Sequence, residues 1–340
     1  MNSEWQTFLA EQGVTGEGAA GEQHPLQLPE AALCDLSSLG LVVIDGEDAL
    51  PFLQGQLTNE VRQLPTNQWG VGAYCSPKGR MIADFRILRL AERVVLQLPA
   101  ATQALLLKRL PMFVLMAKVK IAEASAELTS VGAWGDAVGD ALRAQLGELP
   151  SEPGALLAWE GGAILRLAGE PSRWLLVGQS HALQPLWQAV APVATITGFD
   201  SWQLLEIRAG YPSIQAATSE AFVPQMCNLQ LLGGISFTKG CFVGQEVVAR
   251  MKYLGKLKRR MYYATVTCEQ RPQPGDELFS AASSSGQGAG SVVVAAPSPA
   301  GGYELLVVCE IAAFEQGTLH LLGQDGPLLT LRPPPYGFEE

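Results

Sequence analysis

Most of this chain alternates short apolar runs with glycine or proline, and only a few segments carry the 3.6-residue spacing of a helix. LGLVVIDG (39–46) is a β-branched run closed by glycine and predicts a strand. EDALPFLQGQLTNEV (47–61) sets Leu50, Leu53 and Leu57 near one face and predicts a helix, with Pro51 acceptable only in its first turn. WGVGAYCS (69–76) and RMIADFRILRL (80–90) flank Pro77-Lys78-Gly79, a turn signal, and predict a hairpin. RVVLQLP (93–99) adds a strand, and the stretch 101–116 a helix interrupted near Pro111.

From about residue 127 the order of periods changes. ELTSVGAW, ALLAWE, AILRLAG, RWLLVG and PVATIT read as strands, while GDAVGDALRAQLG and HALQPLWQAV read as helices. This is approximately the βαββαβ order of a ferredoxin-like unit. FDSWQLLEIRAGYP (199–212) predicts a helix capped at Asp200 or Ser201 and stopped by Gly210. Residues 256–332 hold only short strands between Gly, Pro and Ser turns, including AASSSGQGAGS, and suggest a small β-barrel. Residues 1–33 have weak apolar periodicity and read as a loosely held tail with room for one short helix.

Composition adds exclusions. A length of 340 residues suits two or three domains, and a hydrophobic content of 48% builds ordinary cores without disulfide or metal staples. A net charge of −10 argues against general binding to nucleic acid or anionic membranes. No apolar run approaches the ~20 residues of a bilayer span, and the first residues lack a signal-peptide pattern, so a cytoplasmic setting is expected. Six scattered cysteines without a CxxC pair, and three histidines in unrelated contexts, give no metal site and no Ser-His-Asp arrangement.

Candidate chemistry concentrates in FTKGCFVGQEVVAR (237–250). Cys241 stands two residues from Lys239 and just before a helix start at Gln245, with Glu246 in the first turn, and either neighbour lowers a thiol pKa. Gly240 and Gly244 permit a tight backbone around the sulfur. A buried structural cysteine fits the same residues equally well. Next, Arg250, Lys252, Lys256, Lys258, Arg259 and Arg260 follow with no acid between Glu246 and Glu269. Such a run is either a solvated face or a local anion site for RNA phosphates or a polycarboxylate.

The segment 222–261 closely resembles the signature of the YgfZ-type folate-binding proteins, relatives of the glycine-cleavage aminomethyltransferase that include mitochondrial iron–sulfur assembly factors. Its K-G-C-[FY]-x-G-Q-E string is met by Lys239, Gly240, Cys241, Phe242, Gly244, Gln245 and Glu246. LQGQLTNEV (53–61) and EIRAGYP (206–212) are similar to two further landmarks, and the resemblance covers roughly 35–335. It implies an α+β, aminomethyltransferase-like three-domain ring. A folate-binding domain would be split between 34–125 and 199–255, a ferredoxin-like domain inserted at 126–198, and a C-terminal β-barrel formed by 256–332, leaving 1–33 as a flexible tail.

The resemblance further implies folate or tetrahydrofolate as cofactor, held by Trp202, Glu206, Leu39, Gln56, Thr58 and Arg250. Trp202 and Glu206 lie four apart on one helix face, although core packing is the plainer use of such a tryptophan. Gln56 and Thr58 could line a cavity or cap a helix end. Leu39 stands where relatives carry an aromatic, and Arg208 where the aminomethyltransferases have a pterin-binding glutamate. A guanidinium cannot accept hydrogen bonds from a pterin amino group, so either Glu206 takes that role or the pterin binds more weakly or in another orientation. Cys241 and Lys239 would carry the chemistry. Asp84 lies near an acidic residue that the aminomethyltransferases use, but reads more readily as a solvent-facing strand residue. The function implied is a monomeric accessory factor for maturation or repair of iron–sulfur enzymes, and so for tRNA thiomethylation, partnered by iron–sulfur proteins or tRNA-modifying enzymes. Two alternatives stand beside it: a tetrahydrofolate-dependent one-carbon transferase, and a module touching RNA directly through 250–260.

Overall fold

A computed structural model describes residues 2–14, 26–283, 288–316 and 318–338. In chain order these form α1 (Ser3–Glu11), β1 (Ala32–Asp35), β2 (Leu39–Asp45), α2 (Ala49–Gln54), β3 (Gly70–Cys75), β4 (Met81–Leu90), β5 (Arg93–Pro99), α3 (Ala100–Arg109) and β6 (Lys120–Glu123). Next come β7 (Leu128–Trp134), α4 (Asp136–Leu146), β8 (Leu156–Trp159), β9 (Gly162–Leu167), β10 (Arg173–Gln179), α5 (Ser180–Val190), β11 (Thr195–Thr197), α6 (Phe199–Arg208) and α7 (Gln245–Tyr253). The C-terminal part holds β12 (Arg259–Val266), β13 (Glu277–Phe279), β14 (Gly290–Pro297), β15 (Tyr303–Glu310), α8 (Ile311–Gln316), β16 (His320–Leu321) and β17 (Thr330–Arg332).

Three sheets result, ordered β3-β4-β5-β2-β6, β11-β1-β7-β10-β9-β8 and β16-β13-β14-β15-β12-β17. The first is covered by α2 and α3, whose apolar side chains meet Ile44, Phe85 and Leu96. The second carries α1, α4 and α5 on one face, and its other face meets the first sheet and α6. Every residue of α6 from Ser201 to Ile207 is buried, because the helix packs against β1 of the second sheet and β14 and β15 of the third.

The structure revises several sequence readings. Residues 2–14 are not a loose tail: α1 buries Trp5, Phe8 and Leu9 on α5, and the Trp5 indole donates to Asp35 at 2.9 Å. Residues 15–25 of that expected tail lie outside the described residues, as do 284–287 within AASSSGQGAGS. β1 enters the second sheet between β7 and β11, parallel to β11, so the ferredoxin-like run borrows a strand from before residue 126. The helix expected over 47–61 stops at Gln54, since Leu57 bridges to Tyr74 and Thr58 N–H donates to Ala73, extending the sheet edge. The α6 cap is Gly198 rather than Asp200 or Ser201, the Asp200 carboxylate being spent on Arg271 at 2.8 Å. No helix among the described residues is long and apolar enough to cross a membrane.

Candidate functional site

Two cavities meet where the first two sheets approach α6. The smaller, about 40 Å³, is bordered by Leu39, Asp84, Arg86, Gln97, Trp202, Glu206 and Tyr211. The larger, about 380 Å³, is bordered by Asn59, Trp69, Arg86, Arg173, Tyr211 and Gly233 together with apolar residues of both sheets. Arg86 and Tyr211 border both. The smaller has room for only a few waters, whereas the larger reaches the size of small-molecule sites.

Local periodicity explains the polar wall. Asp84 and Arg86 are two apart on β4 and so share a face, and Arg86 stands opposite Gln97 on β5. Trp202 and Glu206 are one helical turn apart on α6. The Trp202 indole lies over Gly132 of β7, where an added Cβ would come within 2.4 Å of its ring, and below the Arg173 guanidinium at 5.5 Å. Glu206 is the shared partner of two buried guanidiniums, Arg86 of the first sheet and Arg173 of the second, the latter at 2.6 Å. Burial pushes the Glu206 pKa up, and the two arginines more than offset this, holding it below the usual glutamate value. Two buried guanidiniums against one carboxylate leave the cluster cationic. Arg86 also stacks 4.1 Å above the Tyr211 ring and 5.6 Å from that of Trp69.

Asp84 is buried, which corrects the expectation of a solvent-facing strand residue. Its Oδ1 accepts from Ile214 N–H at 2.7 Å, and burial lifts its pKa from 3.8 to about 7 despite that bond. Arg208 turns away from both cavities to make a two-pronged pair with Glu304 of β15, at 2.9 and 2.6 Å.

The motif loop lies beside this centre rather than in it. Gly244 has φ +83°, and a Cβ there would sit 2.6 Å from the Ser76 carbonyl, so glycine docks the loop on the β3–β4 turn. Lys239 is buried, with Nζ donating at 2.6 Å to the carbonyls of both Leu57 and Asn59 and lying 5.3 Å from the Phe242 ring. Burial lowers its pKa to about 8. The lysine is thus a clasp on the α2–β3 connection, and among the described residues no hydrogen bond joins it to Cys241. Cys241 is exposed, as is Glu246; Phe242 is buried; Gln245 reaches back to the Gly240 carbonyl at 3.5 Å.

Of the expected ligand residues, Leu39, Trp202 and Glu206 are brought together at the smaller cavity, with Asp84. Cys241, Lys239, Gln56, Thr58 and Arg250 border neither cavity. Thr58 instead donates to Gly234 at 2.6 Å and accepts from Ala73 N–H at 2.9 Å, while the buried Gln56 Oε1 has no partner among the described residues. Arg250, Lys252, Lys256 and Lys258 are exposed and make no ion pair among the described residues, and Tyr253 beside them is 63% exposed. Sequence reading missed Trp69, Arg86, Arg173 and Tyr211. One signal was present: a charged residue two after Asp84 on an otherwise apolar strand.

Comparison with known proteins agrees with this architecture. Residues 14–152 match the family described as the GCVT N-terminal domain. The chain is 34% identical over 252 residues to the tRNA-modifying protein YgfZ of Colwellia psychrerythraea, covering 74% of this chain and 77% of that one. It is 31% identical over 306 residues to the tRNA-modifying protein YgfZ of Pectobacterium atrosepticum, covering 90% and 92%. The crystal structure of glycine cleavage system aminomethyltransferase T from Bartonella henselae superposes with a TM-score of 0.65 at 16% identity, covering 90% of this chain and 86% of that chain. The fold is therefore aminomethyltransferase-like, with the third sheet curled into a C-terminal half-barrel.

Proposed function

This chain belongs to the YgfZ family of tRNA-modifying proteins, and from that membership we propose that it serves tRNA modification as a folate-binding accessory factor for iron–sulfur enzymes. The observation that carries the reading is the larger cavity, about 380 Å³, set in an aminomethyltransferase-like fold and walled by Trp69, Tyr211 and two arginines. A pteridine asks for flat apolar faces and hydrogen-bonding groups at one edge, and its glutamate tail asks for cations. Trp69 and Tyr211 offer the faces, and Arg86 and Arg173 the cations. Trp202 and Glu206 act from behind: the first holds α6 on Gly132, and the second keeps both guanidiniums in place.

A reduced folate supplies, when bound, a one-carbon unit or reducing equivalents. Cys241 offers an exposed thiol on a loop that Lys239 and Gly244 hold rigid. Four of the other cysteines are buried and Cys268 is half-buried. A sulfur or cluster ligand paired with Cys241 would therefore come from a partner protein, of the iron–sulfur or tRNA-modifying kind.

The experiment is a tetrahydrofolate titration followed by tryptophan fluorescence in the wild type, Trp69→Phe and Trp202→Phe. A saturable change is expected in the wild type, smaller in Trp69→Phe and retained in Trp202→Phe. No saturable change in any of the three, with calorimetry also silent, would sink the folate reading. In the same preparation Cys241→Ser should bind folate as the wild type does and fail to restore thiomethylation in cells.

Two further readings each have one observation in favour. Asp84 holds its proton to about pH 7 inside the smaller cavity, which suits a proton-handling group of a one-carbon transferase. The exposed cations of 250–258 around exposed Tyr253 suit a direct contact with RNA.

A further inference from the structure

Cys241 borders neither cavity, yet its loop is tied to the wall of the larger one. Asn59, Val71 and Gly233 belong to that wall. The Asn59 amide donates to the Val71 carbonyl and, at 3.1 Å, to the Gly233 carbonyl. Thr58 Oγ1 donates to the Gly234 carbonyl at 2.6 Å, and Ser236 N–H donates to the Thr58 carbonyl at 2.9 Å. Residues 57–59 and 233–236 are thus zipped together, and the pair forms one side of the cavity.

Beyond Ser236 the chain has no helix or strand until α7 begins at Gln245. Lys239 anchors this stretch, being buried between exposed Thr238 and exposed Gly240. Its ammonium donates at 2.6 Å to the carbonyls of Leu57 and Asn59, both on the segment that carries Asn59 to the cavity. Such charge-assisted bonds are roughly twice as strong as neutral ones. On the other side of Cys241, Phe242 is buried 5.3 Å from the same ammonium, and Gly244 is seated on the β3–β4 turn. Of these three anchors, Lys239 is the one whose bonds end on a residue of the cavity wall.

From this chain of bonds we infer that Lys239 is a positioning residue that couples occupancy of the larger cavity to the order of the Cys241 loop. A ligand that fills the cavity restrains Asn59 and Gly233, and Lys239 passes that restraint to residues 240–243. A partner protein then meets a thiol held in one place while the cavity is filled, and a looser one when it is empty. The inference rests on the folate reading and adds regulation to it.

Amide hydrogen exchange of the full chain, with and without saturating tetrahydrofolate, tests this at pH 7, below the Lys239 pKa of about 8. Exchange within 240–243 should slow by about fivefold or more, the low end of ordinary coupling between sites. Exchange in α8, which borders neither cavity, should stay the same, and this separates coupling from a general rise in stability. Lys239→Met should keep the ligand's protection of 69–71 beside the cavity and lose it at 240–243. Should that variant fail to fold, Asn59→Ala cuts the same chain of bonds at its cavity end and should show the same loss. Unchanged exchange at 240–243 in the wild type, an equal slowing in α8, or a slowing that survives in either variant overturns the inference and leaves folate binding standing. Calorimetry that detects no tetrahydrofolate binding removes the folate reading and this inference with it.

Discussion

Asp84 shows how far a single carboxyl can be displaced by its surroundings. Unfolded, it ionises near 3.8; folded, it keeps its proton to about 7, with burial outweighing the Ile214 hydrogen bond and the nearby Arg86. Between those pH values the native chain binds more protons than the unfolded one, so this group's contribution to stability falls as pH rises. Asp84→Asn retains an oxygen for Ile214 N–H and has nothing to ionise. The variant should gain on the wild type as pH rises from 4 to 7, by at most about 4 kcal/mol. Urea midpoints at several pH values measure this, and a constant gap would show that Asp84 ionises normally. Glu206 is a second buried carboxyl bordering the same cavity and shifts the opposite way, because two guanidiniums face it. Neither direction is readable from the residue type.

At the scale of elements, α6 organises the site. Glu206 joins it to β4 and β10, Arg208 to Glu304 of β15, and Asp200 to Arg271, so one ten-residue helix is tied by charge to all three sheets. Its seat on the second sheet is Gly132, above which Trp202 lies. Gly132→Ala places a methyl within 2.4 Å of the indole, and β7 is held on both sides by β1 and β10 and cannot recede. A loss of roughly 1–3 kcal/mol is expected in denaturant unfolding. Gly240→Ala serves as the control, since nothing lies within 4 Å of that position and its φ is ordinary. Equal effects from the two would mean that the Trp202 contact is not what makes Gly132 necessary. The elements themselves were largely legible: the runs 39–46, 80–90, 93–99 and 127–134 became β2, β4, β5 and β7, because a two-residue apolar period needs only local sequence to be seen. The helix over 47–61 was overextended, because the pairing of Leu57 and Thr58 with β3 is a tertiary contact that no local period records.

Across the whole molecule, a net charge of −10 coexists with an exposed positive stretch. Arg250, Lys252, Lys256 and Lys258 face solvent at the end of α7 and in the connection to β12, and Lys252 also lies 4.1 Å over the Phe237 ring. If this surface meets tRNA, log affinity should fall with log salt concentration with a slope near 3, as about four phosphates are neutralised. The double variant Lys252→Glu, Lys256→Glu should flatten that slope. An unchanged slope, or no binding at low salt, would assign these charges to solvation alone.

What the sequence determined by itself was whatever depends on neighbours along the chain: strand and helix periods, the glycine-bracketed motif loop, the family signature and the three-part order. Tertiary structure alone decided which charged groups face one another. Arg86, Arg173 and Glu206 are supplied by β4, β10 and α6, far apart in sequence, and their energies are set by burial and by one another's fields, not by local spacing. For the same reason Lys239, two residues from Cys241, spends its charge on carbonyls at 57 and 59, which folding brings closer than sequence does.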